Sequence, residues 1–429
     1  MYQSVVRVNI YGRGYAPLLA AAFLKIKINT LDIKVYWDSS GIDGLEFTLS
    51  TSQMFHRFLG LSDEIFLKSV IAKKSLGAVF RRNEFVGAFS DIGLDHKYMG
   101  LSAASWWALD HKCSDKRVRL EQYQVPALLL KSQMEGASVD RLKQIVSGVP
   151  SGYIIDKESY TKFMFSQCKR LGVKILDASK APVMREFLSQ SDAEKTINVM
   201  THALEAFDEG GDAVLGYQVG YGLVGEAPGF DGSGMLLDIG CNNLQKTMSL
   251  GGATSIREYT PLSEGKKRSA FRYLDKAWLN RTIRIGLAAL ESPELIFSES
   301  YLVQSHLMRL LDIWPSEGAV VNNARIFNLE LKTTFDRIGE VEMGIFSQAF
   351  GDSWHEHTPQ LNDFCHRAAL FDHSGYIPEY DHDVFSKEAW VSLLWALGFS
   401  PKNVSAELLG RDSEAFESAK ANLRFNVSD

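Results

Sequence analysis

Hydrophobic positions along the chain follow two rhythms. From Val6 to Ile10 apolar and polar residues alternate, the two-residue period of a strand. Gly12 and Gly14 end that period, and Leu18–Leu24 then runs apolar throughout, as a buried helix does. Asp32–Trp37 predicts a second strand that ends at Asp38. Between 50 and 85, apolar anchors at Phe55, Phe58, Leu59, Ile65, Phe66 and Leu67 predict helix. Gly87–Gly100 reads as loop, Trp106–Trp107 follows, and a polar, charged helix is expected through 114–145. Tyr153–Asp156 opens another βα unit, with a helix from Lys157 to Leu171, Gly172 as its C-cap and a strand at Val173–Leu176. Glycines crowd 207–262 and predict hairpins and loops. From Leu279 to Asp312 the spacing is helical again, and the remainder reads mostly as helix. The pattern contains neither internal repeats nor low-complexity segments.

The first of these junctions carries the strongest chemistry. A strand, then Gly12-Arg13-Gly14-Tyr15-Ala16-Pro17, then a helix is the βα turn that places a pyrophosphate at a helix N-terminus. Gly12 makes the tight turn, and Gly14 lets the backbone approach the phosphates. Asp38 follows about 25 residues later, where an acid can hold a ribose hydroxyl. Pro17 replaces the third glycine of the fingerprint; proline is tolerated in a first helical turn, but the close helix–strand contact loses its usual glycine. The competing reading is a plain α/β unit without cofactor.

Composition narrows the partners. The chain has 429 residues, 45% hydrophobic and 23% charged, which suits two or three domains or one large α/β body with an added lobe. A net charge of −6 and a pI near 6.0 give no basic excess for nucleic acid or anionic membrane. Cys113, Cys168, Cys241 and Cys365 are widely spaced and predict reduced thiols in place of disulfides or a zinc site. No leader-like segment or bilayer-length apolar run is visible, so a cytoplasmic protein without a membrane span is expected.

Three ordered blocks resemble the flavin-dependent tryptophan halogenase family of the FAD monooxygenases. Val8–Lys25 resembles its opening turn, and Gly44–Thr48, Phe58–Leu61, Phe66-Leu67, Leu76-Gly77 and Phe80 follow in register. Gly152–Lys174 is similar to the βα unit that closes the cofactor domain. Gly265–Lys267, Asn280–Ala289, Leu302–Pro315, Phe327-Asn328, Phe335–Ile338 and Trp390–Pro401 resemble the third block. A shorter stretch, Tyr217–Glu226 with Phe230-Asp231 and Met235–Asp238, is similar to lycopene cyclases.

The resemblance implies an α/β fold: a GR2-type, Rossmann-like FAD-binding domain with an inserted β-sheet substrate domain and a helical C-terminal region. Residues 1–85, 150–185 and 265–320 are then the FAD core, 86–149 and 186–264 β-rich substrate-side insertions, and 321–429 the helical region. It further implies that Gly12, Arg13, Gly14, Tyr15 and Ala16 cradle the pyrophosphate, that Asp38 holds the ribose, and that Glu46, Thr48 and Gly286 line the flavin. FAD would arrive reduced from a separate flavin reductase and act on a small aromatic molecule or aromatic residue.

Departures from the family mark its chemistry as altered. The family lysine that handles hypohalous acid has Ser75 in its register, leaving neighbouring Lys74 as the candidate catalytic cation, although Lys73-Lys74 reads better as a solvated helix end. The family's catalytic glutamate falls on Ile296 and its halide-pocket serine on Phe297, with Glu291, Glu294 and Glu299 nearby. No W-x-W-x-I-P motif occurs. Trp106-Trp107 fits interior packing better than substrate stacking, and His355-Glu356-His357 reads as surface histidines in place of a metal site. Two functions follow: an FAD-dependent oxidoreductase favouring oxygenation over halide transfer, or a catalytically silent binding subunit. A cyclase-like redox-neutral reaction ranks third.

Overall fold

The computed structural model describes residues 5–40, 42–114, 117–180, 195–202, 213–223, 232–261, 267–315, 320–351, 358–404 and 406–425. The chain divides into two compact units, one of Met1–Lys73, Ile155–Val219 and Arg268–Asp336, the other of Lys74–Ile154, Gly220–Lys267 and Arg337–Asp429.

The first unit is built on a twisted, mostly parallel sheet. Its elements are β1 (Arg7–Arg13), α1 (Ala16–Lys27), β2 (Asp32–Asp38), β3 (Leu45–Phe47), α2 (Thr51–Phe58), α3 (Lys157–Arg170), β4 (Lys174–Asp177), β5 (Thr196–Met200), β6 (Trp278–Leu279), β7 (Thr282–Arg284) and α4 (Glu299–Asp312). Strand order is β4-β2-β1-β5-β7-β6, parallel except for β6 against β7. The chain leaves β1 towards one edge and returns at β5 towards the other. That reversal makes the carboxyl ends of β1 and β5 the topological switch point, where α/β sheets bind ligands. Every residue of α1 from Ala16 to Leu24 is buried, and the helix packs on α3 and α4. Cover on both faces changes the reading of β1. Asn9, a polar position in the alternation, is buried and donates from its amide to the Asn198 side-chain oxygen on β5 at 3.2 Å.

The second unit holds an antiparallel meander of Met235–Ile239, Leu244–Leu250 and Ala253–Thr260, whose last strand pairs with Gly220–Leu223. Ala78–Arg82 joins it parallel to Met235–Ile239, and Phe85–Phe89 closes the hairpin. Leu76, Val79, Leu129, Leu130 and Leu236 form the core beneath. Helices Pro359–Ser374, Lys387–Ala396 and Ser413–Leu423 follow.

Several expected elements differ. Helix in 50–85 ends at Ser69, and strands Ala72–Ser75 and Ala78–Arg82 follow. A Cβ at Gly77 would lie 2.0 Å from the Phe89 carbonyl oxygen, so the chain there is drawn against a neighbouring strand. Residues 86–149, expected to be β-rich, contain helices Ala103–Cys113, Val125–Met134 and Asp140–Val146. Ser102 caps the first of these, Pro126 opens the second, and the second is buried from Val125 to Ser132, not polar. Between Leu279 and Asp312, α-helix begins only at Glu299, after a single 3-10 turn at Gly286–Ala288, because Thr282, Ile283 and Arg284 are spent on pairing with β5.

Trp106 and Trp107 are interior: their indole N–H groups donate to the carbonyls of Tyr98 and Val118 at 2.8 and 3.1 Å. Among the described residues all four cysteines are free and no group of His, Cys, Asp and Glu could hold a metal. No described helix is long and apolar enough to cross a membrane. Gly210, Gly211, Gly225–Asp231, Gly265-Lys266 and His355–His357 lie outside the described residues, and with them part of the cyclase-like stretch and the histidine pair.

Candidate functional site

At the switch point, β1 passes so close to the end of β5 that only glycine fits. A Cβ on Gly12 would stand 2.1 Å from Thr201 Oγ1. Thr201 in turn donates from its N–H and hydroxyl to the Tyr11 carbonyl at 3.0 and 3.2 Å, fixing the approach. Gly14 adopts a left-handed φ of +64°, which favours glycine. Its N–H donates to the Asp38 carbonyl at 3.1 Å, and its own carbonyl accepts from Trp37 Nε1 at 2.8 Å. Pro17 sits in the first turn of α1, and its ring lies 3.4 Å from the place a Gly12 Cβ would occupy. The proline thus packs over Gly12 and keeps the turn closed where a third glycine would have let it close.

Asp38 ends β2 half-buried, and its carboxylate accepts from Ser40 N–H and Ser40 Oγ, both at 2.8 Å. Those two bonds, with Arg13 nearby, hold its pKa below the ordinary carboxylate value. Arg13 itself is exposed.

A buried charge cluster lies beside this turn. Tyr15 is 2% exposed and donates its hydroxyl to Glu46 Oε2 at 2.5 Å; Glu46 Oε1 accepts from Ser300 N–H at 2.9 Å, near the start of α4. Burial and the glutamates around it drive the Tyr15 pKa well up, so it stays a donor. Lys157, the first residue of α3, reaches Glu46 at 3.8 Å and Glu294 and Glu299 each at 3.9 Å. Asp156 caps α3 by accepting from Ser159 N–H, and Lys157 N–H donates to the Gly44 carbonyl just before β3. Glu294 takes a left-handed φ of +55° that turns its carboxylate back to accept from Glu299 N–H at 3.2 Å. Three carboxylates around one ammonium leave excess negative charge in a dry place. Burial, opposed by Lys157 and reinforced by Glu294 and Glu46, pushes the Glu299 pKa up to about 8.

Two histidines complete the surroundings. Gly286, at φ +59°, donates its N–H to Nδ1 of the fully buried His306 at 2.9 Å, which fixes that ring with its proton on Nε2. Burial lowers the His306 pKa to about 3. His202, immediately after Thr201, is half-buried, and its Nδ1 has no hydrogen-bond partner among the described residues. Burial and the Arg13 charge lower its pKa to about 4.

Gly12, Arg13, Gly14, Tyr15, Ala16, Asp38, Glu46, Thr48 and Gly286 all lie in the first unit, while Lys74 opens the second, half-exposed on strand Ala72–Ser75 and not at a helix end. Ile296 and Phe297 are fully buried apolar residues, at 1% and 0% exposure. Lys157, Thr201, His202 and His306 carry contacts that the sequence pattern did not single out. Only Lys157 had a local signal, as the residue following a strand-ending Asp N-cap.

The donor set fits a dinucleotide. It offers a glycine-tight turn, an exposed Arg13 for phosphate, a helix N-terminus and the strand-end Asp38. The fold is that of the flavin-dependent oxidoreductases. The tryptophan halogenase family model matches residues 7–197 and 253–411, and the chain belongs to that family of enzymes, whose cofactor is FAD. No curated protein matches it in sequence. Its fold is similar to that of BrvH, a flavin-dependent halogenase from Brevundimonas sp. BAL3, at a TM-score of 0.77, 17% identity and coverage of 100% of this chain and 97% of that one. A flavin-dependent halogenase from Xanthomonas campestris gives 0.75, 16% identity and 98% and 95% coverage. A tryptophan halogenase from Shewanella frigidimarina NCIMB 400 gives 0.73, 14% and 99% and 97%.

Proposed function

We propose that the protein is an FAD-dependent oxidoreductase that oxygenates an aromatic or otherwise electron-rich small molecule or residue, in place of transferring halide. FAD bound at the turn supplies the electrons that activate dioxygen. Gly12, Gly14 and the α1 N-terminus would take the pyrophosphate with Arg13, Asp38 the ribose, and Glu46, Thr48 and Gly286 the flavin side. A separate flavin reductase is the expected source of reduced cofactor. The observation that carries the preference is the pair Ile296 and Phe297. Both are buried and apolar in the register where the family resemblance calls for a carboxylate and a hydroxyl, and neither can hold a proton or solvate a halide. The test supplies reduced FAD, air, indole and bromide, and weighs the product. Oxygenated indole is expected, and brominated indole overturns the reading of the halide register.

A silent binding subunit is the second reading. It is favoured by Gly14, whose N–H and carbonyl are both engaged within the protein. A visible spectrum of the purified protein separates the two, since bound flavin absorbs near ~450 nm.

A further inference from the structure

The loop before α4 lacks a carboxylate at Ile296 yet carries one on either side, and both turn to the same cation. Glu294 and Glu299 meet Lys157 at 3.9 Å each, and Glu46 joins from β3 at 3.8 Å. We propose that Lys157 is a positioning residue of the flavin site, its ammonium clamping β3 to the α4 loop by drawing the Glu46, Glu294 and Glu299 carboxylates together. This rests on the flavin reading above.

The geometry assigns each part. Lys157 starts α3, capped by Asp156, and its backbone holds Gly44 at the entry to β3. Its side chain is 18% exposed, against 4%, 18% and 12% for Glu46, Glu294 and Glu299, so solvent screens these charges little. Glu46 is further bound by Tyr15 Oη from the cofactor turn and by Ser300 N–H. The groups acting on Glu299 come from every side: Lys157 on α3, Glu294 in the loop, Glu46 on β3 and Arg13 on the turn. Glu299, raised to about 8, is protonated at neutral pH, so an anionic pyrophosphate drawn to Arg13 faces one fewer negative charge there than it does above the Glu299 midpoint.

The experiment titrates wild type, K157M, K157R and E299Q with FAD across pH 6–9.5, with ¹³C-carboxyl NMR of the flavin-free proteins alongside and circular dichroism as the folding control. Wild-type affinity is expected to fall as pH rises through about 8. E299Q flattens that dependence. K157M weakens FAD about ten-fold and moves the Glu299 midpoint upward, because the cation that favoured its ionised form is gone; K157R restores both. A purely structural lysine would not move the midpoint. K157M with wild-type affinity and midpoint overturns the positioning role while leaving the flavin reading intact. A folded wild type that takes up no FAD overturns the flavin reading, and the NMR midpoints then still decide whether Lys157 sets the cluster's proton.

Discussion

At Gly12 a single hydrogen atom decides whether β1 can pass Thr201. A methyl group there would overlap Thr201 Oγ1 at 2.1 Å, while it would only touch the Pro17 ring at 3.4 Å. We expect Gly12→Ala to abolish copurification of flavin, read as absorbance near ~450 nm, and to cost about 1–3 kcal/mol of stability in urea melts. Unchanged flavin content in the variant would show that the turn is not the cofactor seat. This residue was legible in the sequence, because a glycine between a strand and a helix has few other uses. Asp38 was legible through spacing alone. Lys157 with its glutamates was not: position 46, position 157 and the 294–299 loop lie far apart in the chain, and no local pattern encodes their meeting.

Elements hold their positions through a few buried pairs. On helix Pro359–Ser374, Arg367 is fully buried and donates to Glu340 through Nε at 2.8 Å and to Asp383 through Nη2 at 3.0 Å, with its guanidinium 4.1 Å from the centre of the Trp390 ring. Glu340 is likewise fully buried. Arg367→Met removes a fully buried cation from Glu340, which keeps Arg337 Nη1 at 2.6 Å, so the expected cost lies at the lower end of about 3–5 kcal/mol, measured as a lower urea midpoint at unchanged m-value. If Glu340→Gln added to that variant recovers part of the loss, the excess buried negative charge is the cause. Helix and strand identity was legible where the apolar period was strong, as in β1, α1 and α3. It was missed where tertiary pairing won, as at Thr282–Arg284, whose apolar spacing reads as helix until β5 lies beside it.

For the whole molecule, buried titratable groups set the pH range. Burial lowers the His56 pKa to about 4 and that of His306 to about 3, so both are neutral when folded, whereas the unfolded chain protonates them near 6.5. The unfolded state therefore binds more protons below pH 6.5, and stability falls on acidification by about 1.4 kcal/mol per unit for each. Glu299 acts in the opposite sense. Its folded pKa of about 8 exceeds the ordinary 4.5, so the folded state holds the extra proton and stability falls as pH rises through that window. These two histidines, with His202 lowered in the same way, outweigh one glutamate below 6.5, and of these groups only the glutamate titrates above it. The urea midpoint should thus peak near about pH 6.5, and Glu299→Gln should level the alkaline side while leaving the acid side steep. A midpoint that keeps rising to pH 8 would contradict this assignment.

The sequence by itself determined the βα turn, the order of blocks that marks the family, and the apolar pair Ile296-Phe297, because each is a local pattern of adjacent residues. The tertiary structure alone decided three other matters. Pro17 seals the turn, since its ring comes to lie over Gly12. Asn9 is a buried partner of Asn198 and not a solvent-facing position. The carboxylates flanking the apolar pair at Ile296 are gathered on Lys157, because charge buried by three distant segments must be balanced where those segments meet.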